Sequence, residues 1–210
     1  MKRIHVVLLL IFTVMAVSCR KDAIKNLDSK EGIVYVTDHD SSVNFSNYLS
    51  FRIADSVSVI RDGQLVSREN NSYENGLITS FAQALTQRGF HLETNPAVKP
   101  DIGINITKLV TNQTGVVSYY DYWGGYNSYW DPYYWGYGGY DYYFPYAIGT
   151  YTFQEAALSI DMLDLKNPDT GGNKLHSVWT GLVYGSGIFN SNNISDLVQN
   201  LFSQSPYLQH

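Results

Sequence analysis

The stretch from Tyr119 to Tyr146 constrains the fold most, because its composition is unlike that of any other part of the chain. It consists almost entirely of Tyr, Trp, Gly and Asp, and it holds 12 of the chain's 18 tyrosines and three of its 4 tryptophans. Such a run without regular structure inside a compact domain is usually either functional or disordered. We therefore interpret residues 119–146 as an insertion between strands, and call it the aromatic insertion.

Alternating apolar and polar residues predict the strands on both sides of the aromatic insertion. In Asp101–Val110 the three isoleucines share one face, which predicts that this face is buried and the other is wet. Ala157–Leu165 alternates in the same way. Leu175–Tyr184 is predicted to return from it after a hairpin turn at Asn167–Asn173, where Pro, Asp and Gly are concentrated.

Two segments have the period of amphipathic helices. Their apolar positions are Leu77, Ile78, Phe81, Ala82 and Leu85 in the first, and Ile194, Leu197, Val198, Leu201 and Phe202 in the second. Ser72 suits the start of the first helix and Gly89 its C-cap, whereas Asn193 is the predicted N-cap of the second and Pro206 its stop.

Two further strands are predicted near the start, at Gly32–Thr37 and within Tyr48–Val59, and a turn follows at residues 61–63. The whole pattern predicts an α+β fold: an antiparallel sheet with two amphipathic helices packed on one face and a long Tyr/Trp/Gly-rich insertion between strands. At this length one domain is expected, and we place it at residues 32–207.

The N-terminus has the form of an export signal. A positive start at Lys2 and Arg3 precedes an apolar run, Val6–Val17, that is too short for a comfortable membrane span. The tetrad ending at Cys19 resembles the bacterial lipoprotein signal, in which the cysteine is lipidated and becomes the first mature residue. The alternative is an ordinary secretory signal with a chance cysteine.

The lipoprotein interpretation divides the start of the chain into a signal peptide at 1–18 and a flexible tether at 19–31 that begins with the lipidated Cys19. Several acyl chains, such as palmitate, would then hold the protein stably on a membrane. The expected location is the cell envelope, at the outer membrane, on its periplasmic face or at the cell surface.

Composition excludes several classes of protein. A net charge of -5 and a pI near 5.4 argue against nucleic-acid binding, which needs a basic patch. A single cysteine excludes an intramolecular disulfide and a cysteine-based zinc site. Asp38, His39 and Asp40 lack a second ligand cluster, and polar residues at a strand end are expected there anyway. We predict no metal and no cofactor.

The mature chain, from about residue 33 to 207, resembles the bacterial lipoproteins grouped as domain of unknown function 4136. The residues that carry the resemblance are Asp38, Asn44, Phe45, Ser46, Tyr48, Phe51, Gly89, Phe90, Pro100, Asp101, Ile102, Ile160, Asp161, Asp164, Trp179, Gly181 and Pro206. The resemblance implies an envelope lipoprotein with a variable Tyr- and Trp-rich insertion, and it implies no catalytic residues.

Three interpretations of the aromatic insertion remain open. Its rings could stack on the sugars of an envelope glycan while its carboxylates accept hydroxyl hydrogen bonds. The same rings could contact a protein or the membrane interface. The insertion could also be a low-complexity loop without a ligand. The candidate ligand-binding residues are Trp123, Trp130, Trp135, Tyr126, Tyr134, Asp121, Asp131 and Asp141.

A hydrolase is the weaker alternative, with Asp161, Asp164 and His176 as candidates. Asp161 and Asp164 are an odd number of residues apart, so on a regular strand they face opposite sides and cannot act as a pair. We therefore predict no catalytic residues and a non-catalytic binding or structural role.

Overall fold

The computed structural model describes residues 32–62, 64–110, 132–144, 156–185 and 187–210, together with the backbone of 117–118 and 152–153. Contacts divide the chain into Met1–Gly32 and Ile33–His210. The predicted signal peptide, Cys19 and the tether lie outside the described residues.

Eleven strands and two α-helices are found in the described residues. The strands are β1 (Val34–His39), β2 (Ser50–Ile53), β3 (Val57–Arg61), β4 (Gln64–Glu69), β5 (His91–Leu92), β6 (Ile102–Val110), β7 (Val117–Ser118), β8 (Asp141–Tyr143), β9 (Thr152–Phe153), β10 (Ala156–Asp164) and β11 (Lys174–Tyr184). The helices are α1 (Ser72–Gln87) and α2 (Ile194–Ser203). The α+β class is therefore confirmed.

Nine of these strands form one mixed sheet in the order β1-β11-β10-β6-β2-β5. Strand β3 lies beside β6 after β2 ends, β4 pairs with β3, and β8 pairs with β11. Strands β1, β11, β10 and β6 are antiparallel neighbours. The predicted all-antiparallel sheet is wrong, because β2 and β3 run parallel to β6, β5 runs parallel to β2, and β8 runs parallel to β11.

The chain between β3 and β6 explains the parallel pairs that β2, β3, β5 and β6 make with one another. It contains α1, and parallel neighbours require such a long crossover rather than a tight turn.

The predicted strand Tyr48–Val59 is in fact two strands, and between them the Ala54 N–H donates to the Ile104 carbonyl over 2.9 Å. The predicted turn after β3 is present, with Asp62 in the left-handed region at φ 48°, and it leads into β4.

The two helices begin differently from each other. Asn71 caps α1 by accepting a hydrogen bond from the Tyr73 N–H, and α1 is followed by Gly89 at φ 97°. The predicted cap Asn193 makes no side-chain capping bond, because a 3-10 turn at Ser191–Asn193 runs straight into α2. Asn190 caps that turn instead. Neither helix in the described ranges is long and apolar enough to cross a membrane.

One hydrophobic cluster contains apolar residues of both helices and of the sheet, and we call it the helix-side core. Its members include Phe51, Leu77, Phe81, Leu85, Ile102, Ile104, Ile106, Leu158, Ile160, Met162, Trp179, Leu197, Val198, Leu201 and Phe202. Trp179 is fully buried, and its indole N–H donates to the Ser205 hydroxyl over 2.9 Å. The predicted anchoring role of Trp179 is confirmed.

A second cluster, the insertion-side core, joins sheet residues to rings of the aromatic insertion. It contains Ile60, Leu109, Ala157, Leu163, Leu165, Leu175 and Leu182 together with Trp135, Tyr137 and Tyr142. The predicted wet face of β6 is therefore wrong, since Gly103, Asn105 and Thr107 are all buried. Alternation on β6 marks two different buried faces, one apolar and one that is mostly small or polar.

Candidate binding surface of the aromatic insertion

Three of the predicted ligand-binding residues, Tyr134, Trp135 and Asp141, lie in the described segment 132–144. The other five, Asp121, Trp123, Tyr126, Trp130 and Asp131, lie outside the described residues. The geometry below is therefore that of the second half of the aromatic insertion.

Segment 132–144 folds as two tight turns that lead into β8. Pro132–Trp135 forms a 3-10 turn, which closes when the Tyr137 N–H donates to the Pro132 carbonyl over 2.9 Å. A second turn follows, in which the Tyr140 N–H donates to the Tyr137 carbonyl over 3.1 Å. Gly136 and Gly139 have φ values of 80° and 84°, where a side chain would be strained.

Trp135 is a structural anchor of the segment. Only 6% of it is exposed, and its indole N–H donates to the Asn105 side-chain oxygen over 3.1 Å. Its ring packs against Gly103, where a Cβ atom would lie 3.0 Å from two of the ring carbons. The sequence predicted a ligand contact for Trp135, but the structure places this ring inside the insertion-side core, covered by the sheet.

Tyr137 and Tyr142 hold the segment at two further points. The Tyr137 hydroxyl donates to the Leu165 carbonyl over 2.7 Å, and the Lys99 ammonium lies 3.9 Å from the centroid of its ring. Burial lowers the pKa of Lys99, an effect that the charge of Asp164 opposes. Tyr142 is 8% exposed beside Leu175 of β11. These bonds and contacts fix the segment on the sheet.

Three other tyrosines of the segment are exposed to different degrees. Tyr133 is 73% exposed, Tyr143 42% and Tyr134 37%. The Tyr133 ring rests so closely against Gly138 that a Cβ atom at Gly138 would lie 2.2 Å from the ring carbon Cε1. Only glycine allows this contact, so the backbone supports one side of an otherwise exposed ring.

Tyr134 is held by its hydroxyl at the gap between β2 and β3. That hydroxyl accepts a hydrogen bond from the Asp55 N–H over 3.1 Å, and the ring stands edge-on to Trp135 at 4.7 Å. Burial raises the pKa of Tyr134, an effect reduced by the hydrogen bond from the Asp55 backbone. Tyr134 is thus partly a sheet contact and partly a surface residue.

Tyr134 also borders a groove of about 930 Å³ between α1 and the β2–β5 edge of the sheet. Ile78, Ala82 and Leu92 give this groove apolar walls. Arg52 lies in it, but its guanidinium donates to three backbone carbonyls, those of Glu93, Asn95 and Val98. Arg52 therefore fastens the chain after β5, and these bonds reduce its capacity to bind an anion.

Asp141 lies at the parallel pairing of β8 with β11. Its neighbour across the pairing is Lys174, and that of Tyr143 is His176. The Lys174 ammonium is 5.0 Å from the centroid of the Tyr143 ring, and the centroid of the His176 ring is 5.1 Å from it. Asp141, Lys174 and Tyr143 are exposed and His176 is half-buried.

The candidate hydrolytic residues do not form one site. Asp161 is buried and accepts from the hydroxyls of Thr180, over 2.9 Å, and Ser159, over 3.1 Å. Asp164 instead accepts from the Tyr48 hydroxyl over 2.7 Å. The two carboxylates thus belong to separate hydrogen-bonded clusters.

In the described part of the chain, no three His, Cys, Asp or Glu side chains come together as a metal would require. Asp38 accepts a hydrogen bond from the His39 N–H over 2.8 Å, and Asp40 accepts from Ser42. The His39 ring stacks on Tyr207 at 3.8 Å. Each of these three side chains has a local structural contact.

Comparison with known proteins identifies the family. The model of the family described as "Domain of unknown function (DUF4136)" matches residues 35–207. The chain belongs to the DUF4136 family. The resemblance predicted from the sequence is thereby confirmed, and the family description assigns no activity. A search of curated proteins finds no match.

Solved structures include a member of the same family. A crystal structure of a DUF4136 family protein from Bacteroides thetaiotaomicron superposes with a TM-score of 0.70 at 25% identity, over 85% of this chain and 98% of that one. A PDZ domain protein from Parabacteroides distasonis follows, with a TM-score of 0.43 and 14% identity over 85% of this chain and 36% of that chain. A PelC dodecamer from Paraburkholderia phytofirmans has a TM-score of 0.37 and 9% identity over 85% of this chain and 98% of that chain.

Sequence reasoning missed Tyr133 and Tyr143 as surface residues of this DUF4136 protein. Inside a stretch where more than half of the residues are aromatic, composition alone does not separate an anchor from an exposed ring. One signal was available for Tyr133, namely the glycine five residues later. The β8–β11 pairing that brings Lys174 and His176 to Tyr143 left no such signal.

Proposed function

We propose that this DUF4136 protein is a lipid-anchored component of the cell envelope that binds an envelope glycan through the exposed rings of its aromatic insertion. Cys19 would carry the lipid, and residues 20–31 would act as a tether. The role is non-catalytic, with the insertion between strands as the binding element and the helices on the other face of the sheet as its support.

The observation that carries the proposal is the difference in exposure among neighbouring rings. Trp135, Tyr137 and Tyr142 are buried anchors, whereas Tyr133 is mostly exposed and has one side supported by Gly138. A ring held in this way loses little conformational entropy when a ligand stacks on it, because it is already ordered. Tyr has the amphipathic character that suits contact with a hydroxylated ring.

A protein partner is the second candidate. The same exposed tyrosines suit a protein interface, where Tyr is enriched among the residues that carry most of the binding energy. Tyr134 favours this candidate, since it borders the groove with apolar walls beside α1.

The test is a fluorescence titration of the full chain, kept in detergent for the glycans and diluted below the critical micelle concentration for the vesicles. The titrants are peptidoglycan fragments, capsular and outer-membrane polysaccharides, and phospholipid vesicles. We expect a saturable change with one glycan that is lost in Tyr133→Ala and kept in Tyr133→Phe, because the ring rather than the hydroxyl makes the contact. Leu49→Ala, an exposed apolar change outside the insertion, is the matched control.

Three results would contradict the proposal. Saturable glycan binding that is unchanged in Tyr133→Ala would contradict the proposed contact between the glycan and the aromatic insertion. Saturation by vesicles alone, with no glycan bound, would favour a membrane contact, and no change with any titrant would favour the second candidate.

A further inference from the structure

The parallel pairing of β8 with β11 brings together four side chains of different chemistry. Asp141 is paired with Lys174, and Tyr143 with His176. Between them Tyr142 and Leu175 point into the insertion-side core. Because side chains alternate along a strand, the four flanking side chains lie on the side of this pair that faces away from that core. We call these four residues the β8–β11 patch.

The two charges of the β8–β11 patch do not neutralise each other directly. No carboxylate among the described residues lies within ion-pair distance of the Lys174 ammonium, which instead lies 5.0 Å from the centroid of the Tyr143 ring. The Asp141 backbone N–H donates to the Asn173 carbonyl over 2.8 Å, whereas its side chain is exposed. The Lys174 ammonium thus lies over a partly exposed ring, and the exposed Asp141 carboxylate is on the same side of the strand pair.

We infer that the β8–β11 patch is a binding subsite for a neutral, hydroxylated sugar ring. A sugar hydroxyl both donates and accepts hydrogen bonds, so a single ring can donate to Asp141 and accept from Lys174. The apolar C–H face of the sugar then covers Tyr143.

Other ligand classes fit the patch less well. An acidic sugar would pair its carboxylate with Lys174, which places that charge beside Asp141, the neighbour of Lys174 across the pairing, and like charges repel. An aliphatic ligand would remove both charged groups from water without giving them partners, which costs free energy. The neutral sugar is the class that satisfies all three groups together.

This inference rests on the proposed function and names the sugar class for the same insertion. The test is isothermal titration calorimetry of the full chain in lauryldimethylamine oxide, a detergent without a sugar headgroup. The ligands are neutral tetrasaccharides of glucose, mannose and N-acetylglucosamine, with tetragalacturonate as the acidic comparison.

We expect one neutral tetrasaccharide to bind and Tyr143→Ala to weaken that binding by about two- to thirteenfold, the range that a ring contact of about 0.5–1.5 kcal/mol gives. Tyr143→Phe keeps the ring and is expected to bind like the wild type. Asp141→Asn and Lys174→Met should each weaken binding too. Because all three side chains are exposed, these changes should leave the fold intact.

The outcomes separate this inference from the proposed function. If Tyr133→Ala abolishes binding while Tyr143→Ala has no effect, the inference is overturned and the proposed function stands. Binding of tetragalacturonate alone overturns the inference as well. Failure of every tetrasaccharide, while polysaccharide binding persists and still depends on Tyr133, likewise overturns the inference and leaves the proposed function in place.

Discussion

At the scale of single residues, the same amino acid serves opposite purposes within a few positions. Tyr137 and Trp135 use their polar atoms to bind the sheet, through the Leu165 carbonyl and the Asn105 side chain. Tyr133, only two positions before Trp135, is mostly exposed. Exposure of each ring is decided by which strand atom lies within reach, and that information is absent from the local composition.

Replacement of Trp135 tests its role as an anchor. Trp135→Ala should lower the free energy of unfolding by about 3–5 kcal/mol, the usual cost of removing a large buried ring. Trp135→Phe should cost less, since it keeps much of the packing and loses the hydrogen bond to Asn105, worth about 1 kcal/mol. Urea denaturation followed by circular dichroism measures both. Tyr133→Ala is the exposed control. If Trp135→Ala and Trp135→Phe were both as stable as this control, Trp135 would not be an anchor.

Tyr48 gives a prediction about alkaline pH. Burial, followed by the hydrogen bond to Asp164 and its charge, raises the pKa of Tyr48 well above its ordinary value of 10. The unfolded chain therefore releases this proton at a lower pH than the folded chain does. The stabilisation is fully present below about pH 10 and is lost as the pH rises from there, at up to about 1.4 kcal/mol per pH unit.

Tyr48→Phe removes the titrating phenol and should flatten this pH dependence. Between about pH 10 and 12 the wild type should lose more stability than the variant. At neutral pH the variant should be the less stable protein, because Asp164 has lost a donor. Urea denaturation at a series of pH values checks both statements. Parallel curves for the two proteins across this range would be inconsistent with the buried hydrogen bond.

At the scale of elements, α1 is joined to the sheet by an ion pair as well as by its apolar stripe. Glu74 of α1 is fully buried and pairs with Lys108 of β6, which also contacts Glu69 of β4 over 3.1 Å. The Lys108 ammonium lies 4.9 Å from the ring centroid of Tyr73 and 5.3 Å from that of Phe189. One helix and two strands are thus tied at a single ammonium group.

A double-mutant cycle measures this connection. Lys108→Met leaves the buried Glu74 carboxylate unpaired and should cost about 3–5 kcal/mol of stability. Glu74→Gln should cost less, because Glu69 still accompanies the lysine. The double variant should be more stable than the sum of the two losses predicts, since both charges are gone together. Additive losses in urea denaturation would mean that Glu74 and Lys108 do not interact.

Helices and strands were predictable where one face of the element is more apolar than the other. Helix α1 and strands β6, β10 and β11 were all predicted, because their apolar periods are regular over most of their length. Strand β4 was missed, since Leu65 and Val66 are adjacent and both are exposed, which breaks the alternation. Parallel pairing was missed because a strand's direction depends on the crossover, not on its own residues.

The candidate site was less predictable than the fold. The aromatic insertion was recognised by composition, and Tyr134 and Asp141 lie at its surface as a binding role requires. Trp135 was grouped with ligand-contacting rings, although Gly103 and Asn105 on β6 receive it. The sequence predicted a solvent-exposed face for those two residues, because glycine is small and asparagine is polar. In the structure they form the surface on which Trp135 packs.

At the scale of the whole molecule, the sheet contributes residues to two separate cores, the helix-side core and the insertion-side core. Parallel and mixed sheets commonly have both faces covered in this way. The tyrosines proposed to bind a ligand therefore rest on a sheet that is packed on both sides rather than on a loose loop.

The proposed anchor makes a prediction for the intact protein in a bacterial host. Cys19→Ser should abolish incorporation of labelled palmitate and move the protein from the membrane fraction to the soluble fraction, because only the lipid would hold it there. Circular dichroism of the variant should match the wild type, since Cys19 precedes the described domain. Palmitate label that persists in Cys19→Ser, or a wild-type protein that takes up none, would exclude lipidation at Cys19.

Strands β6 and β10 are direct neighbours, and Val110 faces Ala156 at the point where the chain leaves one strand and where it enters the other. Residues 111–155 thus connect two strands that are already paired at both ends of the connection. Lengthening such a connection increases the entropy cost of loop closure only slowly. The β6–β10 strand pair is therefore a fixed base to which connecting segments of different sequence can be joined. We expect a replacement of residues 111–155 to leave the strand pair intact, provided that the new stretch still covers Gly103 and Asn105.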